Sequence, residues 1–137
     1  FNVGSVFRTA ECMGVSRIYL SEGTADPTHP RALRTAMGCV ERIPWKRLNY
    51  KELADLNEDV FAMELGGSPI SEFHFPPKGI VVLGSEELGV SPECIALSEQ
   101  KGGIVSIPLY GNKASLNVSV AFGIVMNAWA STLGSAM

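Results

Sequence analysis

The sequence predicts an α/β fold: a parallel-sheet domain with helices on both faces, filling residues 1–137 as a single domain. Three observations carry this. Short apolar, β-branched runs alternate along the chain with stretches of helical period. Glycine or proline marks most of the changes from one period to the other. A content of 46% hydrophobic and 18% charged residues over 137 positions is enough to build a core and unlike a disordered chain.

Taken in order, residues 5–13 read as a helix with Val6, Ala10 and Met13 on one face, ended by Gly14. Residues 17–21 form a short strand. A loop rich in glycine and proline, residues 22–30, leads into a helix near residues 31–37. Residues 39–43 read as a strand closed by Pro44, and residues 46–56 as an amphipathic helix carrying Leu48, Leu53 and Leu56. A strand over residues 60–65 precedes a loop over residues 66–77. Residues 79–83 are apolar and β-branched, a pattern expected of a strand buried on both faces. Ser91 with Pro92 marks a helix start, residues 103–107 the last strand, and residues 115–132 the last helix. The first helix has no strand before it. A chain of this class should begin with one, so the chain is read as lacking its N-terminal strand.

Cysteine and histidine usage excludes several chemistries. The three cysteines, Cys12, Cys39 and Cys94, are odd in number and include no C-x-x-C. That argues against a disulfide framework or a zinc site and fits a reducing cytoplasm; all three read as small buried hydrophobes. The two histidines, His29 and His74, stand apart in loop-like stretches, so no metal site and no Ser-His triad is expected. The opening residues carry no leader pattern. The uncharged stretch of residues 114–137 is interrupted by Ser115, Asn117, Ser119, Asn127 and Ser131, which suits a buried helix packed on another subunit better than a membrane span.

The net charge of −3 is unevenly spread. Residues 1–51 hold eight Lys/Arg against four Asp/Glu, a local charge of +4, and residues 52–137 hold three Lys against ten acids, a local charge of −7. A basic first third suits the phosphates of a nucleic-acid partner.

Function is concentrated at three junctions. Asn2-Val-Gly-Ser-Val-Phe-Arg8 opens the first helix, Val82-Leu-Gly-Ser-Glu-Glu-Leu-Gly-Val90 follows a buried strand, and Ile107-Pro-Leu-Tyr-Gly111 runs through a polar loop into Ser115-Leu-Asn117. A strand that feeds a glycine loop and a helix start leaves backbone N–H groups free for a ligand, so the three suggest one composite site. Gly84 permits close backbone approach and Glu86 offers a hydrogen-bonding carboxylate. Ser115 suits a helix cap, and Asn117 is less well explained as one. The loop after Val82 is neither a P-loop nor a G-x-G-x-x-G fingerprint, which disfavours a nucleotide-dependent oxidoreductase.

These strings resemble the three motifs of the SpoU/TrmH family of RNA ribose 2′-O-methyltransferases, within the SPOUT superfamily. Asn2-Val-Gly-Ser-Val-Phe-Arg-Thr-Ala10 matches motif 1, Val82 through Ser91 motif 2, and Ile107 through Ala121 motif 3. The resemblance covers the whole chain in order. It implies a C-terminal trefoil knot, a homodimer, and S-adenosylmethionine as methyl donor, with tRNA or rRNA as acceptor and no metal. It implies that the donor lies against Leu83, Gly84 and Glu86, against Ile107, Pro108 and Leu109, and against Ser115, Leu116 and Asn117. It assigns catalysis to Arg8, Asn2, Glu86, Ser115 and Asn117. Arg8 would act either as a base or as a charged clamp on a phosphate and the developing alkoxide. The chain is read as lacking the N-terminal RNA-binding extension of many members. The alternative is an RNA- or S-adenosylmethionine-binding module of the same fold without turnover.

Overall fold

The computed structural model describes residues 3–85, 87–112 and 116–134. Asn2, Glu86 and Ser115, all expected site residues, lie outside them. The chain divides into two compact units, Phe1–Leu53 and Ala54–Met137.

In the first unit, α1 (Val3–Cys12) precedes β1 (Ile18–Leu20), α2 (Pro30–Ala36) and β2 (Trp45–Arg47). β1 and β2 pair in parallel, Ile18 opposite Trp45 and Leu20 opposite Arg47. Val3, Phe7, Leu20, Ala36 and Val40 make the core, with Ile18, Cys39 and Trp45 packed against it. The buried stripe of α1 is therefore Val3, Phe7 and Ala10 rather than the expected Val6, Ala10 and Met13. Phe7 is the largest apolar side chain available on the helix and sets which face turns inward. Gly4 allows α1 and α2 to come together: a side chain there would collide with the carbonyl oxygen of Ala32 and with Thr35 Oγ1.

The strand expected at residues 39–43 is instead a 3-10 turn, Cys39–Glu41. Met37 (φ 51°) and Gly38 (φ 86°) are both left-handed, reversing the chain and tucking Val40 into the core. The strand begins only after Pro44, whose carbonyl accepts the N–H of Ile18 at 3.0 Å. Because residues 45–47 are committed to that ladder, the expected helix over residues 46–56 shrinks to α3 (Tyr50–Asp55). Asn49 and Glu52 start it as a reciprocal capping box, Asn49 N donating to Glu52 Oε1 at 2.9 Å and Glu52 N to Asn49 Oδ1 at 2.8 Å.

The second unit holds a three-stranded parallel sheet in the order β4-β3-β5, formed by β4 (Ile80–Val82), β3 (Val60–Pro69) and β5 (Ile104–Ser106). Val60, Phe61 and Ala62 of the central strand are fully buried. β4, at the sheet's edge, is half-buried, not buried on both faces as its composition suggested. β3 runs four residues beyond the expected end at 65, because its pairing with β5 breaks after Met63 and resumes at Ser68. α4 (Pro92–Lys101) starts as expected, Ser91 Oγ accepting from Cys94 N at 3.3 Å. Lys101 closes it, donating Nζ to the carbonyls of Ala54 and Leu56 at 3.0 and 2.8 Å.

The last helix is α5 (Val118–Thr132), three residues shorter at its start than expected. Its buried face is Phe122, Val125, Met126 and Trp129. Trp129 meets Phe61 edge-on at 4.9 Å, and Phe73 and Phe75 complete an aromatic cluster around Phe61. The cysteine reading needs correction: Cys12, at the end of α1, is exposed, and Cys39 and Cys94 are half-buried.

Candidate functional site

The strand order builds the site. Ala62 of β3 is opposite Val82 on one side and Ile104 on the other, and all three strands run the same way. The segments that follow β4 and β5 therefore leave the sheet at one edge, the carboxyl ends of the strands. This is where open α/β sheets bind ligands, at the point where chain connections diverge from a central strand. Leu83 and Gly84 lie on one side of β3, and Ile107, Pro108 and Leu109 on the other. Among the described residues, Leu83, Gly84, Leu109, Tyr110 and Gly111 make no backbone hydrogen bond. Their N–H and C=O groups are free to meet a ligand. An open cavity of about 550 Å³, by contrast, lies at the amino ends of β3 and β4, between Asp59, Lys78 and Lys101.

Gly84 is glycine for a reason the sequence did not disclose. A side chain there would run into the backbone of Gly89 and Val90. The segment after Gly84 folds back on it, joined by the Ser85–Gly89 bridge, with Gly89 N donating to Ser85 O at 2.9 Å. Close approach at Gly84 is thus first a property of the chain's own loop. Beneath that loop stands Glu64, at the point where β3 bulges. Its Oε2 accepts the N–H of Val90 at 2.9 Å. Glu64 went unnoticed in the sequence, although it is the only charged residue between positions 60 and 71.

At the entrance to α5, Asn117 is the helix cap: its side chain accepts from Ser119 N at 2.8 Å. The cap expected of Ser115 is thereby filled by Asn117, because the helical dihedrals begin at Val118. Capping occupies the amide oxygen of Asn117, and its Nδ2 retains two donor hydrogens. Ser119 Oγ, half a turn along, is buried and has no hydrogen-bond partner among the described residues. Leu116 is exposed, and Tyr110 is 94% exposed.

In the first unit Arg8 is exposed on α1, one turn beyond Gly4. All eight basic residues of positions 1–51 are exposed. Arg47 is already engaged, holding the Ser21 and Thr24 carbonyls at 2.6 and 2.8 Å, and Lys46 lies 5.9 Å from the Tyr19 ring centre. The sheet therefore carries the segments after β4 and β5 to the same end, on either side of β3, while Arg8 stands in the other unit. Among the described residues, no group of three His, Cys, Asp or Glu side chains is placed to hold a metal ion. No helix among them is long and apolar enough to cross a membrane.

A model of the SpoU rRNA Methylase family matches residues 1–127, which include all three motif segments. The chain belongs to this family. It is 34% identical over 130 residues to the 23S rRNA (guanosine(2553)-2′-O)-methyltransferase RlmP of Bacillus subtilis, covering 91% of this chain and 51% of that one. It is 26% identical over 137 residues to the tRNA (guanosine(18)-2′-O)-methyltransferase of Aquifex aeolicus, covering 91% and 61%. The AdoMet-bound rRNA methyltransferase from Sinorhizobium meliloti shares its architecture, with a TM-score of 0.85 and 31% identity over 98% of this chain and 52% of that one. The SpoU-family chain described here thus spans about half the length of such relatives. The likeness runs through both units, so the parallel α/β arrangement of each is that of the family.

Proposed function

We propose that this SpoU-family chain acts as a single catalytic domain that moves a methyl group from S-adenosylmethionine to a ribose 2′-hydroxyl of tRNA or rRNA. The observation that carries the reading is the meeting of Leu83–Gly84 and Ile107–Leu109 at one sheet edge, with unengaged backbone groups on both sides of β3. A donor of this kind carries an adenine, a ribose and an amino-acid end, each needing several hydrogen bonds. The free backbone groups, the Asn117 amide and the unpartnered Ser119 hydroxyl fit that demand.

The reaction is an in-line displacement in which the ribose oxygen attacks the methyl carbon and the sulfonium leaves as a neutral thioether. A sulfonium is already an activated leaving group, so the chemistry calls for no metal. The protein's task is alignment, which is worth about 7–11 kcal/mol in favourable cases, and removal of the hydroxyl proton. Arg8, Asn2, Glu86, Ser115 and Asn117 are assigned to this step, with Arg8 acting through either of two roles. A guanidinium, ordinarily protonated, is a poor base but a strong bidentate clamp for phosphate and a developing alkoxide; in the clamp role the hydroxyl proton passes to water. Base action requires a neighbouring group that draws the proton away. A rate governed by a titration near neutral pH supports the base, and a pH-independent rate supports the clamp.

The reading extends to the assembly. Val120 and Ile124 on α5, with Leu116 just before it, are exposed apolar side chains one turn apart, which suits a homodimer interface. The family resemblance adds a trefoil knot in the C-terminal third and a cytoplasmic setting in which RNA is the partner.

The test uses radiolabelled S-adenosylmethionine with unmodified total tRNA and total rRNA, followed by digestion to nucleosides. Wild type is expected to yield one labelled 2′-O-methylnucleoside, and Arg8→Ala to reduce the rate about a hundredfold or more. A folded chain that binds donor yet labels neither RNA overturns the enzyme reading in favour of a binding module.

A further inference from the structure

We infer that Glu64 is a positioning residue: its carboxylate holds Gly89 and Val90, and through them Gly84, in the placement that presents Leu83 and Gly84 to the methyl donor. This rests on the reading of that loop as part of the donor site. The geometry is a stack of three close contacts. Glu64 Oε2 accepts the Val90 N–H at 2.9 Å. The same oxygen lies against Gly89, where an added side-chain carbon would stand 2.5 Å from it. Gly89 and Val90 in turn lie against Gly84, leaving no room for a side chain there. Support thus passes from the central strand, through one carboxylate, to the backbone expected to meet the donor.

Two features argue that the placement is specific. β3 and β5 are in register up to Met63 and lose it until Ser68, so the bulge begins at Glu64. Bulges re-aim side chains next to binding sites, and here the re-aimed side chain turns toward the loop after β4, on the opposite side of β3 from β5. Gly89 has φ +70°, a left-handed conformation that presents its unsubstituted Cα to Glu64. The Ser85–Gly89 bridge closes the loop on itself, and the Glu64 hydrogen bond to Val90 ties it to the central strand. Glu64 has no need to touch the donor. Its effect is carried by the loop.

The experiment compares wild type, Glu64→Ala and Glu64→Gln in the full chain. Donor affinity is measured by calorimetry with S-adenosylhomocysteine, amide exchange of Val90 by NMR, and turnover at saturating donor. Glu64→Ala is expected to speed Val90 exchange and weaken ligand binding about tenfold, the effect of losing one such hydrogen bond. kcat at saturating donor should stay near wild type, and KM for the donor should carry the loss. Glu64→Gln keeps a carbonyl acceptor and should recover most of both. Unchanged Val90 exchange and unchanged affinity in Glu64→Ala overturn the inference, as does an equal loss in kcat with KM unaltered. If wild type itself fails to bind the ligand, the donor-site reading falls, and Val90 exchange still decides whether Glu64 holds the loop.

Discussion

The indole Nε1 of Trp129 donates to the carbonyl oxygen of Pro76 at 2.8 Å. A residue near the end of α5 is thereby tied to the segment that leads into β4. The same indole ring packs edge-on against Phe61 of the central strand at 4.9 Å and stacks with Phe75 at 6.3 Å. One side chain thus anchors the helix both to the sheet and to the entry of the strand that delivers Leu83 and Gly84. Trp129→Phe keeps most of the apolar volume but leaves the Pro76 carbonyl without its donor. It should cost about 1 kcal/mol in a urea titration, the net worth of one half-buried hydrogen bond. Trp129→Ala removes the ring as well and should cost about 3–5 kcal/mol. Equal stability of Trp129→Phe and wild type would show that the hydrogen bond adds nothing.

Gly4 sits where α1 crosses α2, and Ala32 and Thr35 leave no space for a methyl group. Alanine is the better helix former by about 1 kcal/mol, so propensity alone predicts that Gly4→Ala stabilises the chain. Packing predicts the reverse. Overfilling a close helix crossing costs about 1–3 kcal/mol and displaces backbone. Gly4→Ala should therefore lower the denaturation midpoint, and a raised midpoint would mean that the crossing yields easily. The glycine in the first motif segment is thus accounted for by packing, one turn ahead of Arg8.

Much of this was legible in the sequence, and the gaps have physical causes. The parallel α/β class followed from alternating periods, and α4 followed from Ser91 and Pro92. The strand at residues 39–43 was misread because Cys39, Val40 and Ile43 look like a β run. Their path is set by the left-handed pair Met37 and Gly38, and only glycine advertises that conformation. The capping box of Asn49 and Glu52 was present in the sequence and would have placed the start of α3. The three site strings were legible as strings. Glu64 was not, because its role depends on a bulge that brings residues 26 positions apart into contact. Asn117 was underrated as a cap because a helix start has one cap position and Ser115, two residues earlier, is as good a capping residue.

Asp26 gives a pH dependence that can be checked directly. Its Oδ1 accepts both from the Thr28 hydroxyl, at 2.7 Å, and from the Thr28 N–H, at 2.9 Å. The hydroxyl is the largest cause holding its pKa below the ordinary aspartate value, followed by the Thr28 N–H, with the charges of Arg47 and His29 adding to it. A depressed folded pKa means that the ionised form is favoured in the folded loop. That contribution is present above the unfolded pKa of about 3.9 and is lost as pH falls through the lower, folded value. Residues 21–28 should therefore loosen only in acid below that range. NMR titration of the Asp26 carboxyl should give a midpoint below that of Thr28→Val, which removes the hydroxyl and keeps the N–H. Identical midpoints would rule out the hydroxyl as the cause.

Asn117 has a structural duty and a proposed functional one, and substitution can separate them. Its Oδ1 caps α5 through Ser119 N, and its Nδ2 is available to a ligand. Asn117→Ala removes both and should destabilise the chain by about 0.5–2 kcal/mol. Serine and aspartate are comparable caps, so Asn117→Ser and Asn117→Asp should melt within a few degrees of wild type. Neither retains an amide donor. If Nδ2 meets the methyl donor, both variants should bind S-adenosylhomocysteine more weakly by about tenfold while remaining as stable as wild type. Aspartate should be the worse of the two, since it would repel the ligand's carboxylate if that group lies near α5. Wild-type affinity in Asn117→Ser would confine Asn117 to capping and leave the donor to the backbone of Leu83, Gly84 and Ile107–Leu109.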